Sequence, residues 1–240
     1  AVVAGIDVVQ YVFFKFDPDL EIKKLQNDGE DVREDTEIMR IKGRARSILA
    51  AERIVLNFLS RLSGIATNTR RFVDLVKDSN TKILSTRKTT PGMRMLEKYA
   101  VFCGGGEVHR SHLEEMVLIK DNHIAVMGGE TLLINSLADI KQKTKKKIAV
   151  EVENLNQFKN VLDIGVDIIL LDNMNLDDMQ KAVSMKNKAQ NGSRIILEAS
   201  GGIDCSKVDQ VAKTGVDRIS IGALTHTFKS INLSLEIIEK

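Results

Sequence analysis

Short apolar runs recur along most of the chain, and segments with helical spacing separate them. The runs, each rich in Ile, Leu or Val, begin at Lys82, Met116, Lys147, Asp167, Arg194 and Arg218. Parallel strands that are buried on both faces have this continuous apolar character, and strands that alternate with helices form βαβ units. The pattern therefore predicts a parallel α/β sheet that is closed, or nearly closed, into a barrel.

Apolar residues at helical spacing lie between the predicted strands. These segments cover residues 93–99, 130–144, 155–162, 176–188 and 207–213, and a further helix is expected at the C-terminus. An open doubly wound sheet is the alternative architecture. However, no Gly-x-Gly-x-x-Gly motif follows the first strand of the repeat, which disfavours a dinucleotide-binding fold.

The N-terminal part of the chain follows a different pattern. Strand-like patterns cover residues 11–16, 21–25 and 37–42. A long segment from Ser47 to Val76 has helical spacing, and we expect Gly64 to divide it into two helices. These features predict a small, mostly β accessory unit that precedes the barrel.

Composition narrows the class of protein. The chain has 240 residues, of which 43% are hydrophobic and 28% charged, so it can bury a barrel-sized core and a modest accessory unit. The formal net charge of +2, without a basic segment rich in aromatic residues, argues against nucleic-acid binding. No apolar stretch is as long as a membrane span. Cys103 and Cys205 are far apart in sequence, which favours thiols in a reducing, cytoplasmic compartment.

Cationic side chains follow the first predicted strands of the barrel. Arg87 and Lys88 lie in Ser-Thr-Arg-Lys-Thr-Thr-Pro-Gly, where a planar guanidinium and a point charge would form an anion-binding loop. His109 and Arg110 come soon after a triple glycine, and Lys120 follows the second strand. Because the carboxyl ends of parallel strands carry the chemistry of such barrels, these groups are candidates for one anion site. A solvated loop of charge is the structural alternative for Arg87 and Lys88.

Carboxylates occupy the next two strand ends. Glu151 and Glu153 lie on one face of the third strand by period-two alternation, and Asp172 ends the fourth. Carboxylates in a barrel mouth are costly unless they meet a metal or cations. Magnesium carried by a polyphosphate would satisfy them, because it binds proteins through one or two carboxylates. The structural alternative is salt bridges to Arg87, Lys88 or Lys120.

Glycine-rich segments follow the last two strands. They are Glu198-Ala-Ser-Gly-Gly and Ser220-Ile-Gly-Ala-Leu-Thr-His. Paired glycine-rich loops at this place in an α/β barrel bind phosphate groups. Because many barrels share such loops, they indicate a phosphate-bearing substrate without specifying the reaction.

Taken in order, these motifs resemble those of the quinolinate phosphoribosyltransferase family, the carboxylating nicotinate-nucleotide pyrophosphorylases. The matching segments include Ala51-Glu-Arg-Ile-Val-Leu-Asn-Phe-Leu-Ser-Arg-Leu-Ser-Gly-Ile-Ala-Thr, Thr86-Arg-Lys-Thr-Thr-Pro-Gly, Glu97-Lys-Tyr-Ala-Val, Cys103-Gly-Gly-Gly, His109-Arg, Leu118-Ile-Lys-Asp-Asn-His, Glu151-Val-Glu, Leu170-Leu-Asp-Asn-Met, Glu198-Ala-Ser-Gly-Gly and Gly222-Ala-Leu-Thr-His. The resemblance extends from residue 1 to the C-terminus. Each segment alone is unspecific, whereas the combination is highly specific.

The resemblance implies a fold and an assembly. It implies an N-terminal α/β sandwich over residues 1–63, joined by residues 227–240, and a partly open, TIM-like α/β barrel over residues 64–226. It also implies a head-to-tail homodimer, leaving open a ring of dimers, in which Arg53 reaches the neighbouring active site. From the sequence alone, Arg53 is only a cation on a helix. Members of the family have more residues before the segment matching Ala1, so we expect the chain to begin within the accessory domain.

The resemblance also implies substrates and their contacts. The reaction would transfer the phosphoribosyl group of phosphoribosyl pyrophosphate to quinolinate with decarboxylation, giving nicotinate mononucleotide, pyrophosphate and CO2 in NAD biosynthesis. Quinolinate would contact Arg53, Thr86, Arg87, His109, Arg110 and Lys120. Phosphoribosyl pyrophosphate would contact Lys88, Glu151, Asp172, Ser200, Gly201, Gly202, Gly222 and Ala223. Mg²⁺ would arrive mostly with the pyrophosphate and meet Glu151 and Asp172, and the catalytic residues would be Glu151, Asp172 and Lys120.

One loop departs from the family pattern and leaves alternatives open. Val108 precedes His109 where the family has Asn, and Ser111-His112-Leu113 follows Arg110 where Gly-Leu is usual. This departure leaves room for a different aromatic acid. A nicotinate-type phosphoribosyltransferase on the same architecture is one alternative function, and a non-catalytic binder of an aromatic acid is another.

Overall fold

The computed structural model describes residues 1–238, which form two compact units. The N-terminal unit comprises Ala1–Val73, Lys88–Val108 and Gly222–Lys240, and the sheet unit comprises Asp74–Arg87 and His109–Ile221. The boundaries of these compact units differ from those of the predicted domains, 1–63 and 64–226, and the predicted domains stay a prediction. Within the described residues, no helix is long and apolar enough to cross a membrane.

Helices and strands alternate through the sheet unit as the apolar pattern predicts, and the N-terminal unit contributes further helices and one strand pair. The helices are α1 (Ile6–Phe16), α2 (Ala45–Leu75), α3 (Arg94–Cys103), α4 (Asp121–Val126), α5 (Glu130–Lys143), α6 (Leu155–Ile164), α7 (Leu176–Lys188), α8 (Val208–Lys213) and α9 (Ala223–His226). The strands are β1 (Glu21–Lys24), β2 (Met39–Lys42), β3 (Lys82–Ser85), β4 (Val117–Ile119), β5 (Ile148–Val152), β6 (Ile168–Asp172), β7 (Ile196–Ser200) and β8 (Arg218–Ile221).

The sheet unit is built on parallel strands that follow a circular order. Hydrogen bonds join its strands in the order β3-β8-β7-β6-β5-β4. This is the strand order of a barrel in which, among the described residues, β3 and β4 are left unjoined. The predicted partly open α/β barrel is therefore confirmed, together with a small antiparallel sheet of β1 and β2 in the N-terminal unit.

The pairing register places an apolar row beneath a charged row on one face of this sheet. The apolar row consists of Leu118, Ala149, Ile168 and Ile196, which belong to one hydrophobic cluster. Two residues further toward the carboxyl ends, the next row on the same face consists of Glu151, Leu170 and Glu198. Since side chains alternate between faces along a strand, the carboxylates of Glu151 and Glu198 lie on the same face as this apolar row and next to it.

The N-terminal unit begins with helix α1, so the strand predicted over residues 11–16 is wrong. Ile6, Val9 and Phe13 are buried in α1, whereas Tyr11 and Phe14 are exposed. The buried positions recur every three or four residues, which is helical spacing. Valine and aromatic residues favour strands in isolation, and here packing against the core of this unit overrides that preference.

Helix α2 runs without interruption through Gly64, so the predicted break is also wrong. A Cβ atom on Gly64 would lie 2.6 Å from the carbonyl oxygen of Lys229 and 3.0 Å from the Cα atom of Ser230. The glycine therefore serves a close approach of the C-terminal segment to the helix and does not end the helix.

The C-terminal segment is extended, which contradicts the helix predicted there. After the short helix α9, no helix or strand is present in residues 227–238. The amide of Ile231 donates to the carbonyl oxygen of Ser60 over 3.1 Å, and Leu233 and Leu235 pack against the core of the N-terminal unit. Alternate residues are half-buried, so the segment lies along a surface with period two.

Candidate active site

Two guanidinium groups lie near each other at the carboxyl edge of the sheet unit. Arg87 follows the end of β3 by two residues, and Arg110 precedes β4 and donates to the carbonyl oxygen of Met116 over 3.1 Å. Burial and, to a lesser extent, the charge of Arg87 lower the pKa of Arg110. Two like charges held together in this way form a natural site for a doubly negative ligand.

Lys120 and Glu151 form an ion pair across neighbouring strands. Lys120 directly follows β4, Glu151 is in β5, and the Nζ and Oε2 atoms are 2.5 Å apart. The Glu151 side chain is 9% exposed and that of Lys120 is 42% exposed. The salt bridge offered as the structural alternative for Glu151 is thus present. Glu153, in contrast, lies beyond β5 and is exposed, so the two glutamates do not share the sheet face.

An interlocked turn holds Asp172 at the end of β6. The side-chain amide of Asn173 donates to Oδ2 of Asp172 over 2.8 Å, and the Asn173 backbone amide donates to the Ser200 carbonyl oxygen over 2.9 Å. Asn173 has a φ of 52°, and Gly201 has a φ of 94°. A Cβ atom on Gly201 would lie 2.2 Å from Oδ1 of Asn173, so this turn requires glycine. Asp172 and Ser200 are paired in register.

His109 lies beside a buried carboxylate of β7. Its Nε2 atom is 3.4 Å from Oε1 of Glu198, and the two side chains are 10% and 1% exposed. Because Arg110 is the next residue, the imidazole belongs to the same segment as the paired guanidinium groups. The structure therefore connects Arg87, Arg110, His109 and Glu198 within the sheet unit.

Lys88, Gly222 and Ala223 belong to the N-terminal unit. The Thr225 hydroxyl donates to the carbonyl oxygen of Lys88 over 2.8 Å. A Cβ atom on Gly222 would lie 3.0 Å from Cδ of Lys88, which shows that the glycine makes room for the lysine stem. Ala223 begins α9, and its carbonyl oxygen accepts a hydrogen bond from Asn68.

An internal ion pair supports the loop that follows Lys88. Arg61 of α2 contacts the completely buried carboxylate of Glu97 in α3 over 2.6 Å. The same guanidinium donates to the Thr90 hydroxyl over 2.6 Å, and the Thr90 amide donates to Glu97 over 3.1 Å. These bonds tie the cation-bearing loop to two helices of the N-terminal unit.

Arg53 lies on the exposed surface of the N-terminal unit. It is in α2, close in sequence to Leu49 and Ile54, which are 53% and 42% exposed. A contribution from a second subunit, as the resemblance implies, stays a prediction.

The carboxylates at this edge of the sheet each have a neighbour within the protein. Among the described residues, no group of three or more His, Cys, Asp or Glu side chains could hold a metal ion. Glu151 is engaged by Lys120, and Asp172 accepts from Asn173. The expectation that Mg²⁺ meets Glu151 and Asp172 together with a phosphate-bearing ligand stays a prediction.

Comparison with known proteins decides the family. The model of the quinolinate phosphoribosyl transferase C-terminal domain matches residues 65–236, and that of the N-terminal domain matches residues 1–63. The chain belongs to the quinolinate phosphoribosyltransferase family. The resemblance drawn from the sequence motifs is thereby confirmed.

Relatives within the quinolinate phosphoribosyltransferase family come from distant organisms. The probable carboxylating nicotinate-nucleotide pyrophosphorylase of Methanocaldococcus jannaschii is 41% identical, over 99% of this chain and 83% of the relative. Quinolinate phosphoribosyltransferase [decarboxylating] 1 of Nicotiana glauca is 40% identical, over 98% of this chain and 70% of the relative. The solved nicotinate-nucleotide pyrophosphorylase from Francisella tularensis has a TM-score of 0.89 and 40% identity, over 97% and 81% of the two chains.

Sequence reasoning missed several residues that support the family motifs. Asn173 follows Asp172 directly, and its left-handed conformation is one that Asn adopts more readily than most residues, so this signal was available. The role of Glu97 depends on Arg61, which is distant in sequence, and no local pattern reveals that pair. The neighbourhood of Glu198 and His109 likewise appears only when the chain is folded.

Proposed function

We propose that this chain transfers the phosphoribosyl group of phosphoribosyl pyrophosphate to quinolinate and decarboxylates the product. The products are nicotinate mononucleotide, pyrophosphate and CO2, which places the enzyme in NAD biosynthesis. Membership in the quinolinate phosphoribosyltransferase family supports the reaction. The observation that carries the substrate assignment is the pair of adjacent guanidinium groups, Arg87 and Arg110.

Quinolinate binds to the cationic side of the site in this proposal. Its two carboxylates need more than one cation to be held and desolvated. We assign Arg87, Arg110 and Lys120 of the sheet unit to this binding. Thr86 and His109 complete the set within the same unit. Two neighbouring guanidinium groups can each bind one carboxylate of a dicarboxylate, which favours quinolinate over nicotinate in this proposal.

Phosphoribosyl pyrophosphate binds to the glycine-rich loops and the carboxylates. Its 5′-phosphate is assigned to the backbone of Ser200, Gly201 and Gly202, with Gly222 and Ala223 of the N-terminal unit. Glycine allows a phosphate to approach backbone amides closely, and the left-handed φ of Gly201 and Gly202 supports that assignment. Lys88 is assigned to the pyrophosphate, whose Mg²⁺ is shared with Glu151 and Asp172.

The reaction breaks the bond between the anomeric carbon and pyrophosphate and forms a bond from that carbon to the pyridine nitrogen. Positive charge develops on the ribose, and the carboxylates of Glu151 and Asp172 stabilise it or hold the ribose hydroxyls. The quaternised ring then accepts the electron pair released when the adjacent carboxylate leaves as CO2, and a proton takes its place. Lys120 is assigned to this chemistry because it is paired with Glu151.

The direct test measures products with purified chain, quinolinate, phosphoribosyl pyrophosphate and MgCl2. We expect equal amounts of pyrophosphate, CO2 and nicotinate mononucleotide, and a much lower rate when nicotinate replaces quinolinate. Faster turnover of nicotinate without CO2 would assign the alternative transferase. Ligand binding without release of pyrophosphate would assign a non-catalytic binder.

We further propose a homodimer in which Arg53 completes the site of the neighbouring subunit. The exposed apolar residues Leu49 and Ile54 beside Arg53 support an interface on this face of α2. A cytoplasmic location is proposed as well, because Cys103 and Cys205 form no disulfide within the described chain.

Mixing two inactive variants tests the shared site. We expect Arg53→Ala and Arg87→Ala each to remove most activity while circular dichroism shows an intact fold. If each site uses Arg53 from one subunit and Arg87 from the other, mixed dimers contain one site with both arginines. Co-refolded variants should therefore regain a substantial part of the activity. Activity that stays at the level of the separate variants would contradict the shared site, and Arg33→Ala serves as a surface control.

A further inference from the structure

The sheet unit buries a carboxylate that the reaction outlined above does not use. Glu198 is the third residue of β7 and is 0% exposed. Within the described residues, neither of its side-chain oxygens accepts a hydrogen bond of normal geometry. Burial raises the pKa of Glu198, and the Ser220 hydroxyl and the Arg218 charge oppose that rise only in part. Such a group needs a cation beside it to remain ionised.

The imidazole of His109 faces this carboxylate. The distance of 3.4 Å between Nε2 and Oε1 is longer than a good hydrogen bond and shorter than the limit of an ion pair. Arg218 of β8 is the other charged group acting on Glu198, while the register partner on β6 is the apolar Leu170. On its other side, His109 precedes Arg110 in the proposed quinolinate site.

We propose that Glu198 is a positioning residue for quinolinate binding, which orients the His109 ring and serves as its counter-ion. The ring then meets a quinolinate carboxylate as a cation. This inference rests on the proposed function, because it assumes that His109 contacts quinolinate. Glu198 itself touches neither substrate and acts through the imidazole.

The physical basis is a single proton held between two groups. Burial makes the carboxylate bind a proton more tightly, and a facing carboxylate makes an imidazole bind a proton more tightly. The pair therefore keeps one proton over a wider pH range than an isolated histidine does. In this proposal, a quinolinate carboxylate that approaches the imidazole favours the state in which the proton is on the ring. That protonated ring is also the state that attracts the carboxylate.

Steady-state kinetics of Glu198→Gln test the counter-ion role. At pH 8 we expect the KM for quinolinate to rise about tenfold, which corresponds to a change of one pKa unit in the ring. At pH 6.5 the rise should be smaller, because the solvent then protonates the imidazole without help. The KM for phosphoribosyl pyrophosphate should stay within about twofold at both pH values. The exposed Glu34→Gln is the matched control and should change none of these quantities.

Two results would overturn the assignment. An unchanged KM for quinolinate at pH 8 would show that Glu198 does not act on binding. Equal rises in both KM values at every pH, with a lower melting temperature, would show a purely structural role for the buried carboxylate.

A titration of the histidine rings decides the question even if Glu198→Gln does not fold. In the unmodified chain with ¹⁵N-labelled histidine, we expect the His109 ring to keep its proton to a higher pH than a histidine in a short unstructured peptide, because the Glu198 carboxylate faces it. His109→Asn identifies the resonance by its loss. A midpoint at or below that of the peptide would overturn the proposal. If the unmodified chain makes no nicotinate mononucleotide, the proposed function fails while this titration still tests the pair.

Discussion

At the scale of single residues, the candidate site pairs each charge with a neighbour of defined chemistry. Glu151 faces Lys120, Asp172 accepts from Asn173, and Arg110 lies near Arg87. The first two arrangements neutralise or orient a carboxylate before any substrate arrives. The third brings two guanidinium groups together at one edge of the sheet. These arrangements are consistent with the proposal that the site binds an anionic ring and stabilises positive charge on the ribose.

Replacing Glu151 with Gln should slow turnover more than it weakens quinolinate binding. The amide keeps the shape of the side chain but loses the charge that we propose stabilises the ribose, so we expect kcat to fall on the order of a hundredfold. The KM for quinolinate should change little. Initial rates measured over both substrates check this expectation, and the exposed Glu153→Gln is the control. A defect confined to quinolinate binding would place Glu151 among the groups that hold that substrate.

At the scale of elements, helices α2 and α3 hold the loop that carries Lys88. The Arg61 guanidinium joins both helices to Thr90, and it also lies 4.9 Å from the centre of the Phe228 ring. Glu97 is fully buried, so its charge depends on Arg61. This arrangement connects the stability of the helices with the position of a proposed pyrophosphate ligand.

Separating these two effects requires a double-mutant cycle. Arg61→Met leaves the Glu97 carboxylate buried without its cation, and we expect a loss of about 3 kcal/mol in the free energy of unfolding. Adding Glu97→Met removes the stranded charge and should restore most of that stability. The KM for phosphoribosyl pyrophosphate should stay raised in the double variant, because the bond to Thr90 is still missing. A normal KM in the double variant would show that Arg61 supports the fold alone.

The contact between α2 and the C-terminal segment gives a second prediction at this scale. Gly64→Ala places a methyl group 2.6 Å from a carbonyl oxygen, so we expect a destabilisation of about 1–3 kcal/mol despite the better helix propensity of alanine. Urea unfolding measures the change. Arg71→Ala, on an exposed position of the same helix, should change stability by less than about 0.5 kcal/mol. A more stable Gly64→Ala variant would show that the segment moves away without cost.

At the scale of the whole molecule, buried carboxylates make stability depend on pH in opposite directions. The Arg44 guanidinium, bonded to Asp17 over 2.7 Å, holds the pKa of Asp17 well below its usual range. A lowered pKa stabilises the fold above the pH at which the unfolded side chain titrates, and this contribution is lost as the pH falls. Burial raises the pKa of Glu198, so its contribution has the opposite sign and is lost as the pH rises.

Unfolding at several pH values checks the first of these contributions. We expect Asp17→Asn to be less stable than the unmodified chain at pH 7, with the difference narrowing as the pH falls below 4. Denaturant midpoints at pH 7, 5, 4 and 3 measure the trend. Asp163→Asn, at an exposed position, should follow the unmodified chain throughout. A constant difference for Asp17→Asn at all pH values would contradict the role of the Arg44 pair.

The parts of the structure that follow from local pattern were predictable from sequence. Buried parallel strands are continuously apolar, so the strands and the barrel order of the sheet unit were accessible, and helix α7 was predicted at its observed bounds. The elements that depend on contacts distant in sequence could not be predicted in this way. Helix α1 and the extended C-terminal segment depend on one shared core, and Gly64 depends on a segment more than a hundred residues away.

The turn formed by Asn173 and Gly201 is fixed before any ligand binds. Both residues have left-handed backbone conformations, and the side chain of Asn173 leaves no space for a side chain at position 201. The phosphate that we propose for this turn would meet amides already in place, so the loss of chain entropy would occur when the protein folds and not at each catalytic cycle. Product could then leave quickly, because its release would not require the turn to change conformation.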